Sequence, residues 1–205
     1  MRMSDIRLAW LVLMLACAGC SRGPAAVPPP YIDPDGAADQ AIELYDANHD
    51  GALSKVELAK CPAILSKLAV YDQNANGSVE AGEIAKRLTD LLSAKIALTR
   101  LQCRVTFRGR PLRGATVTLE PEAYLGDEVK TATGVTDEHG VAAPSIPEEE
   151  MPENLQSMAF VHCGAFKVRI THPTIKLPAR YNTATELGYE TEVGNPFTSF
   201  TLKDK

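Results

Sequence analysis

Two twelve-residue stretches with the same spacing of oxygen-bearing side chains constrain this chain more than any other feature. Residues 46–57 read DANHDGALSKVE and residues 72–83 read DQNANGSVEAGE. Both satisfy D-x-[DN]-x-[DN]-G-x5-E. The first offers Asp46, Asn48, Asp50, the Ala52 carbonyl, Ser54 and Glu57 in order. The second offers Asp72, Asn74, Asn76, the Ser78 carbonyl, Glu80 and Glu83 in the same order. Gly51 and Gly77 hold the sixth place, where a sharp turn calls for a residue free to take positive φ. Every donor is a hard oxygen, and each stretch carries three carboxylates that repel one another unless a cation sits among them.

A loop of this length wraps six to eight oxygen ligands around one calcium ion, with the last Glu bidentate, and the pattern resembles the EF-hand loop. Two sites, each for Ca2+, are therefore expected. Magnesium fits less well, since it demands octahedral geometry and keeps its waters. The flanks agree with the resemblance. Leu53 and Val79 stand at the eighth position, where EF-hands pair their loops through a short β-bridge. Ala41, Ile42, Leu44 and Tyr45 supply an apolar helix face upstream. Ile84, Leu88, Leu92 and Ile96 follow one i, i+4 row downstream. Cys61-Pro62 breaks the segment between the loops into two short helices. The loops begin 26 residues apart, which predicts a compact, rigid pair. The Asn-rich second loop weakens cation attraction, placing affinities between about 10 µM and 1 mM.

The N-terminus reads as an address. Arg2 and Arg7 precede an apolar run from Leu8 to Ala18, too short to span a bilayer as a helix. Ala18-Gly19-Cys20 then resembles a bacterial lipobox, with Cys17 where Leu is usual. The resemblance implies a signal peptide at 1–19, a lipidated Cys20, membrane attachment through that lipid, and export to the bacterial cell envelope, periplasmic or on the outer face. Loss of Arg2, Asp5 and Arg7 leaves 19 basic and 25 acidic residues, against a formal net charge of -5 for the whole chain. That acidity speaks against a nucleic-acid partner. Residues 20–36 carry Pro at 24, 28, 29, 30 and 34 and read as an extended tether.

From Leu101 the texture changes to alternation. Leu101, Cys103, Val105 and Phe107 fall on one face, and Ala115, Val117 and Leu119 stay in phase after a Gly-Arg-Pro-Leu turn. Further strands are expected within 129–136, 141–146, 158–163, 166–171, 186–193 and 197–202. Gly109, Pro111, Leu112, Gly114 and Ala115, then Thr136, Asp137 and Gly140, then Phe166, Val168 and Ile170 form an order that resembles the transthyretin-like or carboxypeptidase-regulatory-like β-sandwich of bacterial envelope lipoproteins. The fold class expected is thus α+β in two domains: an all-α EF-hand pair at 37–100, then an all-β antiparallel sandwich at 101–205. The resemblance implies an adhesion, glycan-contact or accessory module without catalysis.

Cys103 and Cys163 both fall in expected strands and are candidates for a disulfide, since an exported protein can keep one. The four His, at 49, 139, 162 and 172, are scattered, and no HExxH, GxSxG or P-loop occurs. No catalytic or organic-cofactor residue is assigned. The expectation is an exported, lipid-anchored, non-enzymatic calcium-binding protein whose sandwich meets a protein or glycan partner at the envelope. Two alternatives stay open: a calcium sensor that exposes a peptide-binding groove, and an accessory subunit of a secreted enzyme. Neither partner identity nor oligomeric state is readable from the residues.

Overall fold

The computed structural model of the chain describes residues 29–204. The expected signal peptide at 1–19, Cys20 and the expected tether as far as residue 28 lie outside the described residues. The architecture is mixed α and β, with β-sheet predominating and four α-helices among the described residues.

Helix α1 spans Pro34–Tyr45. It begins three residues inside the stretch read as tether, because Pro34 occupies the first turn, where a missing N–H costs nothing. Its buried stripe is Ala37, Ala38, Ala41 and Tyr45, while Leu44, expected inward, is exposed. After the first loop come a 3-10 turn, Glu57–Lys60, then α2 (Pro62–Ser66) and α3 (Leu68–Tyr71). The break falls at Cys61-Pro62 as expected, but the connection holds three short helical pieces rather than two. Helix α4 spans Ala81–Leu92 and buries Ile84, Ala85 and Leu88. It stops at Leu92, so Ile96, expected on the same row, is off the helix and exposed. Strands β1 (Ala52–Ser54) and β2 (Ser78–Glu80) join the two loops antiparallel, with Leu53 opposite Val79.

The β half contains β3 (Leu98–Thr99), β4 (Gln102–Phe107), β5 (Arg110–Pro111), β6 (Thr116–Pro121), β7 (Ala132–Val135) and β8 (Val141–Ala142). It continues with β9 (Val161–His162), β10 (Gly164–Thr171), β11 (Gly188–Thr191) and β12 (Phe197–Leu202). One sheet has the order β11-β10-β6-β7, and another runs β12-β4-β5 with β8 also on β4. The second sheet departs from the all-antiparallel expectation, because β12 lies parallel to β4, with Phe200 opposite Val105. A parallel partner needs a long crossover, and here the chain builds the whole first sheet before returning. Alternation sorts the two faces. Cys103, Val105, Phe107, Phe200 and Leu202 point inward from the second sheet, and Val117, Leu119, Val168 and Ile170 from the first.

The helices cover the other side of the first sheet. Gly188 on β11 lies so close to α2 that an added Cβ would stand 1.9 Å from the Pro62 carbonyl oxygen. The apolar core is accordingly continuous, running from Ala37 and Tyr71 through Phe166 to Leu202. The division at residue 100 therefore marks a change of secondary structure across one shared core.

Cys61, Cys103 and Cys163 are all free and buried thiols. The pairing proposed for Cys103 and Cys163 is not made. Cys103 faces the core from β4 in the second sheet, whereas Cys163 sits at the junction of β9 and β10, which enters the first sheet. Burial pushes the Cys103 thiol up to about 12 and also raises Cys163, so neither is a ready thiolate.

Candidate metal centre

The two loops fold as near copies of each other. Asp46 Oδ2 accepts the Gly51 amide at 2.9 Å, and Asp72 Oδ2 accepts the Gly77 amide at 2.9 Å. Gly51 and Gly77 stand at φ 86° and 89°, with no atom within 4 Å of where a Cβ would be. Backbone conformation, not crowding, is what selects glycine there. His49 and Ala75, at the fourth position of each loop, also take positive φ, 60° and 58°. Asn48 Oδ1 accepts the Asp50 amide at 3.0 Å, and Asn74 Oδ1 the Asn76 amide at 2.9 Å. Asp50 Oδ1 and Asn76 Oδ1 each accept from the residue two further on, the amides of Ala52 and Ser78. These bonds curl each backbone around its own oxygens.

The closing glutamates span the loop mouths. Glu57 Oε1 accepts the amides of Ala47 at 2.9 Å and Asn48 at 3.3 Å, and Glu83 Oε1 accepts those of Gln73 and Asn74 at the same two distances. Glu57 Oε2 takes the Ser54 hydroxyl at 2.7 Å and the Ser54 amide at 2.9 Å. The Ser54 hydroxyl, then its amide, then the Ala47 and Asn48 amides hold the Glu57 carboxyl down to about 2. Glu83 Oε2 accepts the Glu80 amide at 3.0 Å, forming with Glu80 a capping box that starts α4.

Among the described residues no Lys, Arg or His forms an ion pair with Asp46, Asp50, Glu57, Asp72, Glu80 or Glu83, while Glu120, Glu122, Glu190 and Glu192 all have one. Asp46 and Glu57 are nevertheless buried, at 6% and 7% exposure. Both oxygens of Asp46 and of Asp72 accept a single N–H and keep a second lone pair, whereas Glu57 Oε1 and Oε2 and Glu83 Oε1 each accept two bonds and would have to exchange some of them to ligate an ion. Among the described residues no three Asp, Glu, His or Cys side chains converge closely enough to hold an ion by themselves. A cation placed here would draw also on Asn48, Asn74, Asn76, Ser54 and the carbonyls of Ala52 and Ser78, all of them hard oxygens of the kind calcium prefers. The second loop is the more exposed of the two.

Behind the loops lies a polar layer that the sequence did not announce. Tyr45 immediately precedes Asp46, and its hydroxyl donates to Glu122 Oε2 at 3.1 Å. Tyr71 immediately precedes Asp72, and its hydroxyl donates to Glu190 Oε2 at 2.7 Å. Both glutamates belong to the β half and are essentially without solvent, at 0% and 1% exposure. Glu122 also accepts the Ala63 amide at 3.2 Å and faces the Lys167 ammonium at 3.4 Å. Burial raises its carboxyl; Lys167, the Ala63 amide and Tyr45 oppose the rise without cancelling it. Glu190 is clasped by the Arg87 guanidinium from α4, which also reaches Glu192 at 2.6 Å, and Lys67 holds Glu192 at 3.1 Å. Each loop is thus pinned, through the residue before its first oxygen, to a buried carboxylate, Glu122 just past the end of β6 and Glu190 on β11. The partners are 77 and 119 residues apart in the chain, beyond the reach of any local pattern.

No helix among the described residues is long and apolar enough to cross a membrane. Scans against protein-family models and against curated proteins find no match to the chain.

Proposed function

We propose that the chain is an exported, lipid-anchored, non-enzymatic calcium-binding protein. In this reading the loops are an EF-hand pair, the β half is a transthyretin-like sandwich, and Cys20 carries the lipid. The observation that carries the proposal is the pair of matching loops, in which two of the six carboxylates are buried and none has a cationic side-chain partner among the described residues. Loop amides donate to both buried carboxylates, and the clustered negative charge is what a bound cation would offset. Asp46, Asn48, Asp50, Ser54, Glu57 and the Ala52 carbonyl would hold one ion. Asp72, Asn74, Asn76, Glu80, Glu83 and the Ser78 carbonyl would hold the other.

Calcium supplies positive charge and fixed coordination geometry. The chain's own residues do the rest. Leu53 and Val79 tie the loops to each other. Tyr45 and Tyr71 carry the ordering of each loop into Glu122 and Glu190, and hence into the first sheet. Metal binding then stabilises the docking of helices on sheet as well as the loops, and the second sheet is left to face an envelope partner.

The test is a double variant, Glu57→Gln with Glu83→Gln. Calcium binding should be lost at both loops while the β half keeps its far-ultraviolet signature. Two ions bound with unchanged affinity would refute the site assignment. Calcium-dependent binding of a hydrophobic dye would favour a sensor that opens a groove instead.

A further inference from the structure

Strand β12 ends the second sheet, and its backbone is bonded on one side only. In a parallel pair every second residue turns its N–H and C=O to the partner strand, and the residues between turn theirs away. The ends of β12 set the phase. Pro196 O accepts the Gln102 amide at 2.7 Å, and Leu202 O accepts the Arg108 amide at 3.2 Å. With Phe197 opposite Gln102 and Leu202 opposite Phe107, Thr198, Phe200 and Leu202 bond β4, while Phe197, Ser199 and Thr201 direct their backbone groups outward. These three residues are exposed, and among the described residues no strand pairs with that side.

An open edge is normally blunted by charge, proline, a bulge, shortness or a cover. The other edges here follow that rule. Thr133 of β7 bridges to Ser145. Strand β11 is four residues long, contains Glu190 and buries its last two residues. Strands β3, β5, β8 and β9 have two residues each. By contrast β12 reads FTSFTL, with no charge, proline or glycine, and its ladder to β4 is unbroken. Both ends of its free side are closed. Pro196 supplies no N–H, and past the strand the Lys203 amide donates to the Tyr181 hydroxyl at 3.0 Å while its carbonyl accepts the Arg180 guanidinium at 3.2 Å. The open stretch is therefore Phe197 to Thr201, centred on Ser199.

We propose that this edge pairs with the same edge of a second copy of the chain, antiparallel, about a two-fold axis through Ser199. Residues directly opposite in such a pair exchange both backbone bonds at every second position. With Ser199 facing its own copy, Phe197 faces Thr201 in both directions, and every outward N–H and C=O of each strand is satisfied. Axes through Thr198 or Phe200 would leave Thr201 or Phe197 unpaired. The register also keeps core side chains on the core side. Thr198 meets Phe200 within, and Phe197 meets Thr201 outside, both aromatic against β-branched. Charge does not oppose the pairing. The nearest cation, Arg104, lies 5.8 Å from the Phe197 ring, and the two Phe197 residues stand at opposite ends, about 14 Å apart along the strands and beyond a Debye length. A second copy is stopped at the same residues, so the open lengths coincide; a longer strand would run onto Pro196 or the Tyr181–Arg180 clamp. Five residues a side is small for an interface, which makes the dimer weak and reversible.

The inference does not depend on the metal reading and is tested with and without calcium. Sedimentation equilibrium of residues 21–205 should show a monomer–dimer equilibrium with a Kd between about 10 µM and 1 mM. No larger species should form, since a two-fold contact closes on itself. Ser199→Lys and Ser199→Asp each set like charges face to face and should weaken the dimer about fivefold or more. Mixing the two variants in equal amounts should restore it, because Lys then faces Asp. Ser199 is exposed, so both variants should keep the parent's circular dichroism and melting temperature. Thr131→Lys, the same charge change on an exposed residue ahead of β7, should leave association as it was. Amide exchange by NMR should slow at Phe197, Ser199 and Thr201 as concentration rises, while Thr198, Phe200 and Leu202 stay slow throughout. Monomer at every concentration, charge variants that associate like the parent, or a mixture no tighter than either variant alone would each overturn the proposal. Slow exchange at all three outward amides in dilute monomer would overturn it too, since another segment of the chain would then already cover the edge.

Discussion

Gly188→Ala probes the joint between the helical and β parts. Gly188 stands on β11 opposite Lys167. A Cβ there would lie 1.9 Å from the Pro62 carbonyl oxygen, 2.0 Å from its carbon and 2.3 Å from the Ala63 nitrogen. All three are main-chain atoms at the start of α2, so no rotamer change relieves the clash. Ordinary contact begins near 3.4 Å, which requires α2 to retreat by about 1.5 Å. That movement opens the Ala63 amide's bond to Glu122, now 3.2 Å, beyond hydrogen-bonding reach, and strains the Tyr71 bond to Glu190, now 2.7 Å. Bonds to charged groups contribute about 1.5–3 kcal/mol each, and the acceptors would stay buried, so the loss should total about 3–5 kcal/mol. The melting temperature should fall by about 10 °C. Gly82→Ala makes the same chemical change in the first turn of α4, where nothing lies within 4 Å of the added carbon. It should stabilise by up to about 1 kcal/mol. Urea unfolding of both variants, followed by circular dichroism with and without calcium, gives the comparison. A Gly188→Ala protein as stable as the parent would mean the helices do not dock on β11 in this way.

Further predictions concern titration and thiols. Because Glu57 is held near 2 when folded and returns to about 4.5 when unfolded, its contribution to stability is complete above pH 4.5 and is lost as pH falls through 2. Carboxyl NMR on calcium-free protein should show that low midpoint, and Ser54→Ala should move it upward; a midpoint near 4.5 in the parent would contradict the bonding described. Glu122 has the opposite sign. Its folded carboxyl is raised, so stability contributed below the unfolded value near 4.5 declines as pH rises through the raised midpoint. Glu122→Gln should flatten that part of the stability–pH curve, and an unchanged curve would count against a buried acid. Native protein comprising residues 21–205 should resist Ellman's reagent and release three reactive thiols once denatured, from Cys61, Cys103 and Cys163. Only one thiol after denaturation would restore the disulfide.

What the sequence revealed was what short range controls. The two positive-φ glycines are set within a few residues, and the Leu53–Val79 bridge follows from the matching eighth positions of the two loops. The strand Phe197–Leu202 has its expected bounds. Helix ends were less legible, as Pro34 can start a helix as readily as it can end one. Long-range features were not legible at all. Nothing local distinguishes Glu122 or Glu190, each buried against a tyrosine hydroxyl, from the solvated glutamates nearby, and no local pattern says that β12 runs parallel to β4. The thiols of Cys103 and Cys163 shared an apolar context without sharing a sheet.

Calorimetric titration of residues 21–205 with calcium, starting from chelated protein, tests the central claim most directly. The account predicts two ions per chain, with affinities between about 10 µM and 1 mM, the first loop tighter than the more exposed second. Binding should also raise the melting temperature of the whole chain, because both loops are pinned to the first sheet through Tyr45 and Tyr71. No heat of binding and no thermal shift up to millimolar calcium would contradict it.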